Sequence, residues 1–155
     1  MSPTQLYPEL YLAIFDRLDC APGEKADLLN VSKASSLFHE LAEPFLFTKI
    51  LLQQDDSKSG IDSPTRALIR HLTSRAETRH WVRSVRITTY PYADGAMDHV
   101  MDIFFELHNL REIDLSNINL TDSMVQHLLR LSHPFSLNCL DVGCSAKATD
   151  FLSNT

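Results

Sequence analysis

The sequence LYPELYLAIFDRLDCAPGEKADLLNVSKASSLFHELAEPFLFTKI, at residues 6–50, is the most informative stretch of this chain of 155 residues. In its first part an aliphatic residue recurs at every fourth position, at Leu6, Leu10, Ile14 and Leu18. On a helix these positions form one apolar stripe, which Phe15 widens. Pro8 suits the first turn of such a helix, where the N–H that proline lacks would have no intrahelical partner. The pattern therefore predicts an amphipathic helix.

The second part of the stretch predicts another helix after a turn. Pro22 and Gly23 interrupt the helical pattern between Asp19 and Lys25. Apolar or small residues then recur at helical spacing, at Leu28, Val31, Ala34 or Ser35, Phe38 and Leu41. Because a proline disfavours helical backbone in the residue before it, we expect Pro44 to end this helix. The spacings alone indicate a small helical hairpin.

The order of residues in this stretch resembles the F-box, a helical module that joins a protein to a cullin-type ubiquitin ligase. The likeness rests on four segments, Leu6-x-Pro8-Glu9-Leu10, Ile14-Phe15-x-x-Leu18, Asp27-Leu28-Leu29 and Phe38-x-x-Leu41-Ala42-x-Pro44. Two features depart from the family pattern. The loop from Asp19 to Ala26 is a few residues longer than usual, and the family's Val-Ser-Lys falls on Ala34-Ser35-Ser36. The resemblance implies an F-box at residues 4–46.

In the F-box family, an apolar face binds a small Skp-type adaptor. Carried over by position, the resemblance implies that nine residues contact this partner: Leu6, Pro8, Ile14, Leu18, Leu28, Leu29, Phe38, Leu41 and Pro44. Some of these side chains must instead hold the helices together, and the sequence leaves open which. Size also favours a partner, because a helical unit of about 40 residues is too small to bury all this apolar surface.

The remainder of the chain contains a repeated LxxLxL pattern. Three copies follow each other at a period of 27–28 residues, Val82/Val85/Ile87, Leu110/Ile113/Leu115 and Leu137/Leu140/Val142, and Phe47/Ile50/Leu52 form a looser fourth. Each copy predicts a short strand with alternating inward residues. The segments between copies change to helical spacing. One helix is expected from Ser63-Pro64 and another from Thr121-Asp122, and a third has Asp94 as its N-cap and His108 on its inward face.

This pattern resembles the leucine-rich repeats that follow the F-box in fungal-type F-box proteins. The resemblance implies an α/β fold class, with all-α F-box helices followed by a short leucine-rich-repeat solenoid with a parallel sheet at residues 47–155. Nothing after Asp150 resembles the cap that a solenoid needs on its last repeat, since Phe151-Leu152 is too brief. We therefore expect an incomplete array, which belongs to a fragment, to a truncated product or to a protein completed by a partner.

Strand alternation selects candidate residues for binding a target protein. The face opposite the helices should carry Arg86, Glu112, Asp114 and Asp141. At the 27-residue period, Asp114 and Asp141 would lie about 5 Å apart on adjacent strands, with Arg86 as their counter-charge. The sequence leaves open whether this is a structural ion-pair ladder or part of a binding surface. The arginine-rich segment from Arg66 to Arg79 is an alternative contact.

Charge and composition narrow the class of protein. A net charge of −6 argues against general binding to nucleic acid or anionic membranes. No apolar stretch approaches the roughly 20 residues of a membrane span, and no basic-then-apolar leader is present. Three cysteines, Cys20, Cys139 and Cys144, lack CxxC spacing, which fits a reducing compartment. These features predict a cytoplasmic or nuclear protein.

Chemical motifs are missing from the sequence. Its seven histidines show no HxxxH, HExxH or Cys/His ligand spacing, and there is no GxSxG or glycine-rich phosphate loop. We therefore expect neither catalysis nor a metal or cofactor. The resemblance to F-box proteins with leucine-rich repeats implies a substrate-recognition adaptor of a Skp–cullin–F-box ubiquitin ligase, which binds the Skp-type adaptor, through it cullin, and a target protein. The alternative is an interaction scaffold with the same modules but no ligase role.

Overall fold

A computed structural model describes residues 8–19, 25–53, 61–88 and 98–144, and the chain divides into two units, Met1–Thr48 and Lys49–Thr155. The first unit consists of three helices, α1 (Pro8–Asp19), α2 (Lys25–Ser32) and α3 (Ser36–Thr48). The second unit alternates strands with helices. The fold is therefore mixed, with a helical part and a part built on a parallel sheet.

The pattern predicted one helix from Leu28 to Leu41, and this was wrong. The chain leaves helical geometry after Ser32, where the N–H of Ala34 donates to the carbonyl of Val31 at 3.0 Å. The hydroxyl of Ser35 then accepts from the N–H of Phe38 at 3.1 Å. A serine in this position satisfies an N–H that the first turn of a helix leaves unpaired, so Ser35 starts α3 as a separate helix.

Pro44 does not end α3, contrary to expectation. The helix continues through it to Thr48, whose hydroxyl donates to the carbonyl of Pro44 at 2.8 Å. Proline removes one helical hydrogen bond. The turn is retained because Phe45 and Leu46 pack on the core of the unit, where the Phe45 ring lies 6.1 Å from that of Phe15. Packing outweighs the local preference here.

The second unit contains six strands and four α-helices within residues 49–53, 61–88 and 98–144. The strands are β1 (Lys49–Gln53), β2 (Ser84–Thr88), β3 (Glu112–Ser116), β4 (Asn119–Leu120), β5 (Ser136–Leu140) and β6 (Gly143–Cys144). The helices are α4 (Ser63–Ser74), α5 (Ala76–Trp81), α6 (Asp98–Met101) with a following 3-10 helix (Asp102–Glu106), and α7 (Asp122–Leu129). A four-stranded parallel sheet has the order β1-β2-β3-β5, and β4 pairs with β6.

The sheet buries one face. Its inward positions in β1, β2 and β3 are at most 5% exposed, at Ile50, Leu52, Val85, Ile87, Ile113 and Leu115. The fourth strand is different, because Leu137 is half-buried and Cys139, the register partner of Leu115, is exposed. The inward residues predicted for β1, β2 and β3 are thus confirmed, whereas Leu140, predicted as inward in the copy at Leu137, Leu140 and Val142, is 64% exposed.

Two of the expected helix starts are confirmed by their caps. The carboxylate of Asp62 accepts from the N–H of Thr65 at 2.7 Å before α4. The hydroxyl of Thr121 accepts from the N–H of Met124 at 3.2 Å before α7. Asp94, proposed as the third cap, lies outside the described residues.

The helical pattern predicted His108 on an inward helix face, and this was wrong. The backbone tightens into the 3-10 helix at Asp102, so the later positions turn away from the face that 3.6-residue spacing assigns them. Phe104 is buried, Phe105 is 37% exposed, and His108 is exposed beyond the end of the 3-10 helix.

The third repeat has a different register from the one predicted. Glu112 of β3 pairs with Ser136 of β5, so the step between these strands is 24 residues and not 27. Asn117 and Asp141, which follow β3 and β5, both have left-handed backbone, with φ of 53° and 52°. Asp141 therefore corresponds to Asn117, and the predicted pairing of Asp141 with Asp114 was wrong.

Candidate functional site

The outer face of the sheet carries a row of side chains that crosses all four strands. Register aligns Leu51 of β1, Arg86 of β2, Asp114 of β3 and Asn138 of β5. Glu112 lies on the same face as Asp114, two residues earlier on β3, because alternate strand residues share a face. We call this surface, centred on Arg86, Glu112, Asp114 and Asn138, the polar face.

Side chains of the polar face form a hydrogen-bonded network. The Nη2 and Nε atoms of Arg86 donate to Oδ2 of Asp114 at 3.3 and 3.4 Å. The Nδ2 atom of Asn138 donates to Oδ1 of Asp114 at 2.8 Å and to Oε1 of Glu112 at 3.1 Å. The register predicted between Arg86 and Asp114 is confirmed. The amide of Asn138 takes the place that the prediction gave to the carboxylate of Asp141, so the predicted repulsion between Asp114 and Asp141 does not arise.

The network leaves room for a ligand. The Arg86 side chain is 64% exposed and that of Asp114 is 20% exposed. A shallow depression of about 390 Å³ lies between them and the ends of β3 and β5, where Thr88, Ser116 and Leu140 join its lining. Leu140 is 64% exposed. The arrangement offers carboxylate acceptors, hydroxyl groups and an apolar contact, which together suit an extended peptide.

Asp141 lies outside this surface. It follows β5 in an exposed left-handed turn and is not part of the strand. The sequence reasoning missed Asn138 for the same reason, because the 27-residue alignment passes over it. A signal was available: DLSNINL at 114–120 and NCLDVGC at 138–144 align without a gap at 24 residues and place Asn117 on Asp141. Asparagine and aspartate are the non-glycine residues that best tolerate left-handed backbone.

The helical unit presents an apolar surface. Its buried cluster contains Phe15, Leu28 and Ala42, with Phe38 and Leu41 among the half-buried residues packed against it. Five large aliphatic side chains of the same unit are instead 39–50% exposed: Leu10, Leu12, Ile14, Leu29 and Leu37. We call these five residues the aliphatic surface.

The structure sorts most of the nine predicted adaptor contacts. Ile14 and Leu29 are 45% exposed and available to a partner, whereas Leu28 is fully buried. The predicted contact through the Leu28 side chain is therefore corrected to a role in the core. Phe38, Leu41 and Pro44 are half-buried. Leu6 and the side chains of Pro8 and Leu18 lie outside the described residues, although the backbone of both Pro8 and Leu18 is part of α1.

Three exposed leucines were not among the nine candidates. Leu10, Leu12 and Leu37 are 50%, 39% and 48% exposed. The outward position of Leu10 and Ile14 on α1 follows from Tyr11 and Phe15, whose rings contact Phe38 at centroid distances of 5.1 and 6.3 Å. An aromatic pair four residues apart was thus the better indicator of the inward face than the leucine stripe.

Comparisons with known proteins add no family to this picture. No protein-family model, no curated protein and no solved structure matches this chain. Among the residues that the structure describes, no three or more histidine, cysteine, aspartate or glutamate side chains are grouped so that they would hold a metal ion. Within the same residues, no helix has both the length and the apolar character of a membrane span.

Proposed function

We propose that this chain is a substrate-recognition subunit of a Skp–cullin–F-box ubiquitin ligase. The aliphatic surface is the observation that carries the proposal. Five large aliphatic side chains remain 39–50% exposed on a unit that has only three fully buried apolar residues among those described. Five exposed aliphatic side chains on so small a unit favour an interaction with a partner. It agrees with the F-box resemblance, which assigns an adaptor-binding face to this stretch.

The partner on this surface would be the Skp-type adaptor, and through it cullin. Burying an aliphatic side chain contributes about 1.5–3 kcal/mol when it moves fully out of water, and these side chains are already half covered. A few such contacts provide enough free energy for a specific complex once the cost of association is met. We therefore expect the aliphatic surface to contribute more binding free energy than the polar face does.

The second unit would bind the target protein on the polar face. Arg86, Glu112 and Asp114 provide charged groups, Asn138 fixes their geometry, and Leu140 adds an exposed apolar contact. The chain itself would perform no chemistry. It would hold a target beside a ubiquitin-loaded enzyme and so raise the effective concentration of the two reactants. The complex would work in the cytoplasm or nucleus.

Adaptor binding is tested by a paired substitution on the aliphatic surface. Ile14→Asp with Leu29→Asp places two charges where the interface would exclude water, and we expect affinity for purified Skp-type adaptor to fall at least about 100-fold. Leu129→Asp is the matched control, because Leu129 is 59% exposed but belongs to α7 of the second unit. Isothermal titration gives the affinities, and circular dichroism checks that each variant is folded.

Three outcomes would contradict the proposal. A folded wild-type chain that shows no association with the adaptor at micromolar concentration removes its basis. Equal loss in the Leu129→Asp variant would show that the aliphatic surface is not the contact. Adaptor binding without recovery of cullin from cells would favour the scaffold role over the ligase role.

A further inference from the structure

A second depression lies at the edge of the sheet where the strands begin. It occupies about 540 Å³ between the segments that lead into β3 and β5, and eight residues line it: His108, Asn109, Leu110, Arg111, His133, Pro134, Phe135 and Ser136. The depression of the polar face shares none of these residues, although Glu112 of the polar face follows Arg111 directly and pairs with Ser136. The two sites are therefore distinct.

The polar lining of this depression consists of groups able to donate hydrogen bonds. Arg111, His108 and Asn109 are exposed, and His133 and Ser136 complete the set. None of the eight lining residues is acidic. In a chain with a net charge of −6, a depression lined by one arginine, two histidines and no carboxylate is a local exception. It would attract an anion at short range even though the protein as a whole repels one.

Backbone hydrogen bonds and one side-chain bond hold the chain around the depression in place. The N–H of Arg111 donates to the carbonyl of Arg83 at 2.8 Å, and the carbonyl of Arg111 accepts from the N–H of Ser136 at 2.7 Å. The Nδ2 atom of Asn109 donates to the carbonyl of His80 at 2.7 Å. The chain around the depression is thus tied to neighbouring strands on both sides, which lowers the entropy cost of arranging donors around a ligand.

Two groups in the site lack the partners that comparable groups have elsewhere. The Nε2 atom of His133 is buried and has no hydrogen-bond partner among the residues that the structure describes. A buried ring nitrogen without a partner costs free energy, which the ring recovers if it turns toward a ligand oxygen. Arg86 on the polar face is paired with Asp114, whereas no carboxylate of the described residues lines the depression around Arg111.

We propose that this depression binds a phosphate monoester. A guanidinium presents two parallel N–H groups to two oxygens of one phosphate, and imidazole, amide and hydroxyl groups supply single donors to the others. A dianionic tetrahedral group uses more of these donors than a planar carboxylate does. Leu110, Pro134 and Phe135 form an apolar wall on which the group that bears the phosphate would rest.

The inference goes beyond the proposed function and does not rest on it, because it concerns the second unit and needs no adaptor. A phosphorylated side chain of a partner protein and a small phosphorylated metabolite share the chemistry. The test therefore includes a probe for each source. Its result is also independent of adaptor binding, so that failure of either idea leaves the other standing.

The test uses the full chain at low ionic strength with ring protons of the histidines as reporters in NMR. The probes are inorganic phosphate, glucose 6-phosphate and a blocked Ala-Ala-phosphoserine-Ala-Ala peptide, with acetate and the unphosphorylated peptide as controls. We expect one phosphorylated probe to shift the His108 and His133 signals saturably, at least about 10-fold more tightly than acetate. The tighter of glucose 6-phosphate and phosphopeptide identifies the source.

Substitutions decide whether the depression is responsible. Arg111→Gln should weaken binding at least about 10-fold, and His108→Gln, at an exposed position, provides a second variant if the first fails to fold. Arg70→Gln is the matched control, because Arg70 is an exposed arginine of α4 outside the lining. The proposal is overturned if no phosphorylated probe saturates, if acetate binds equally well, or if Arg70→Gln weakens binding as much as Arg111→Gln.

Discussion

The helical unit and the sheet unit of this protein place their apolar residues differently. Within the described residues, the helical unit has three fully buried hydrophobic side chains in its cluster and five large exposed ones. In the sheet unit, which is more than twice as long, the inward strand positions of β1 to β3 are at most 5% exposed, and its outer face carries a polar network. Among the described residues, the first unit leaves more large aliphatic side chains exposed than it buries, whereas the second buries most of its own.

Under the proposed function, this difference would suit the two units to different kinds of partner. An interface that consists of aliphatic side chains gains free energy from removal of water and demands little of the partner's charge. An interface built on Arg86, Asp114 and Asn138 discriminates by the position of charges and donors. A protein with both surfaces suits an adaptor role, in which one attachment is constant and the other selects.

The largest expected effect follows from the small size of the helical core. Phe15→Ala removes a ring that is 2% exposed and contacts both Phe38 and Phe45. We expect it to lower the free energy of unfolding of the helical unit by about 3–5 kcal/mol and to leave the sheet unit folded. Hydrogen exchange followed by mass spectrometry resolves the two units. Loss of protection throughout the chain would show that they unfold as one.

Leu28 and Leu29 are adjacent residues with opposite roles, which sharpens the comparison within one helix. Leu28 is fully buried and Leu29 is 45% exposed. Leu28→Ala should cost about 2–5 kcal/mol of stability. Leu29→Ala should change stability by less than about 0.5 kcal/mol but weaken adaptor binding about 10-fold. Urea unfolding and titration with the adaptor measure the two quantities. A similar cost in stability for both variants would contradict the assignment of the aliphatic surface.

On the polar face we expect a smaller effect on stability. Asp114→Ala removes the acceptor of Arg86 and Asn138, yet Arg86 is 64% exposed, so the ion pair itself should contribute no more than about 1 kcal/mol. The charge swap Arg86→Asp with Asp114→Arg keeps a pair but inverts the surface. It should restore stability relative to either single variant in urea unfolding. A coupling energy well above 1 kcal/mol would identify the network as a structural ladder.

The smallest expected effect on stability tests the register of β5. Asp141 has left-handed backbone, which glycine adopts without steric cost, so Asp141→Gly should raise the melting temperature slightly or leave it unchanged. An extended Asp141, as the 27-residue period predicted, would instead make the same change destabilising by about 0.5–1 kcal/mol. Differential scanning calorimetry distinguishes these signs, and Asn117→Gly provides the matched change at the corresponding position.

The sequence predicted the parts of the fold that hydrophobic periodicity and caps determine. Inward residues such as Val85 and Ile113 and the caps of α4 and α7 follow local rules, and the structure confirms them. The start of α3 was missed because the spacing of apolar residues continues through the break that Ser35 caps. Pro44 was misjudged because tertiary packing of Phe45 and Leu46 outweighs a backbone preference.

Part of the polar face was predicted correctly, because the apolar pattern fixes the register of β2 and β3 but not that of β5. Arg86 and Asp114 pair as the 28-residue step predicted, because leucine positions fix that register unambiguously. Around β5, the LxxLxL pattern matches Leu137, Leu140 and Val142. In the structure, Leu137 and Cys139 instead pair with the inward residues Ile113 and Leu115 of β3. Cysteine is a poor match to the pattern, and Cys139 is exposed although its register partner Leu115 is buried. Because Cys139 does not match the apolar pattern, the predicted register was shifted by three residues. The shift placed Asp141 on the face and hid Asn138.

The unequal steps between strands bear on the order in which the sheet folds. Lys49 pairs with Ser84, Ser84 with Glu112 and Glu112 with Ser136, so the connections shorten from 35 to 28 to 24 residues. Closing the longest instead of the shortest connection costs only about 0.3 kcal/mol more in chain entropy, less than the roughly 0.8 kcal/mol from burying one methylene. Nucleation should therefore follow burial and begin at β2 and β3. Ile113→Ala should slow folding, whereas Leu137→Ala should mainly accelerate unfolding.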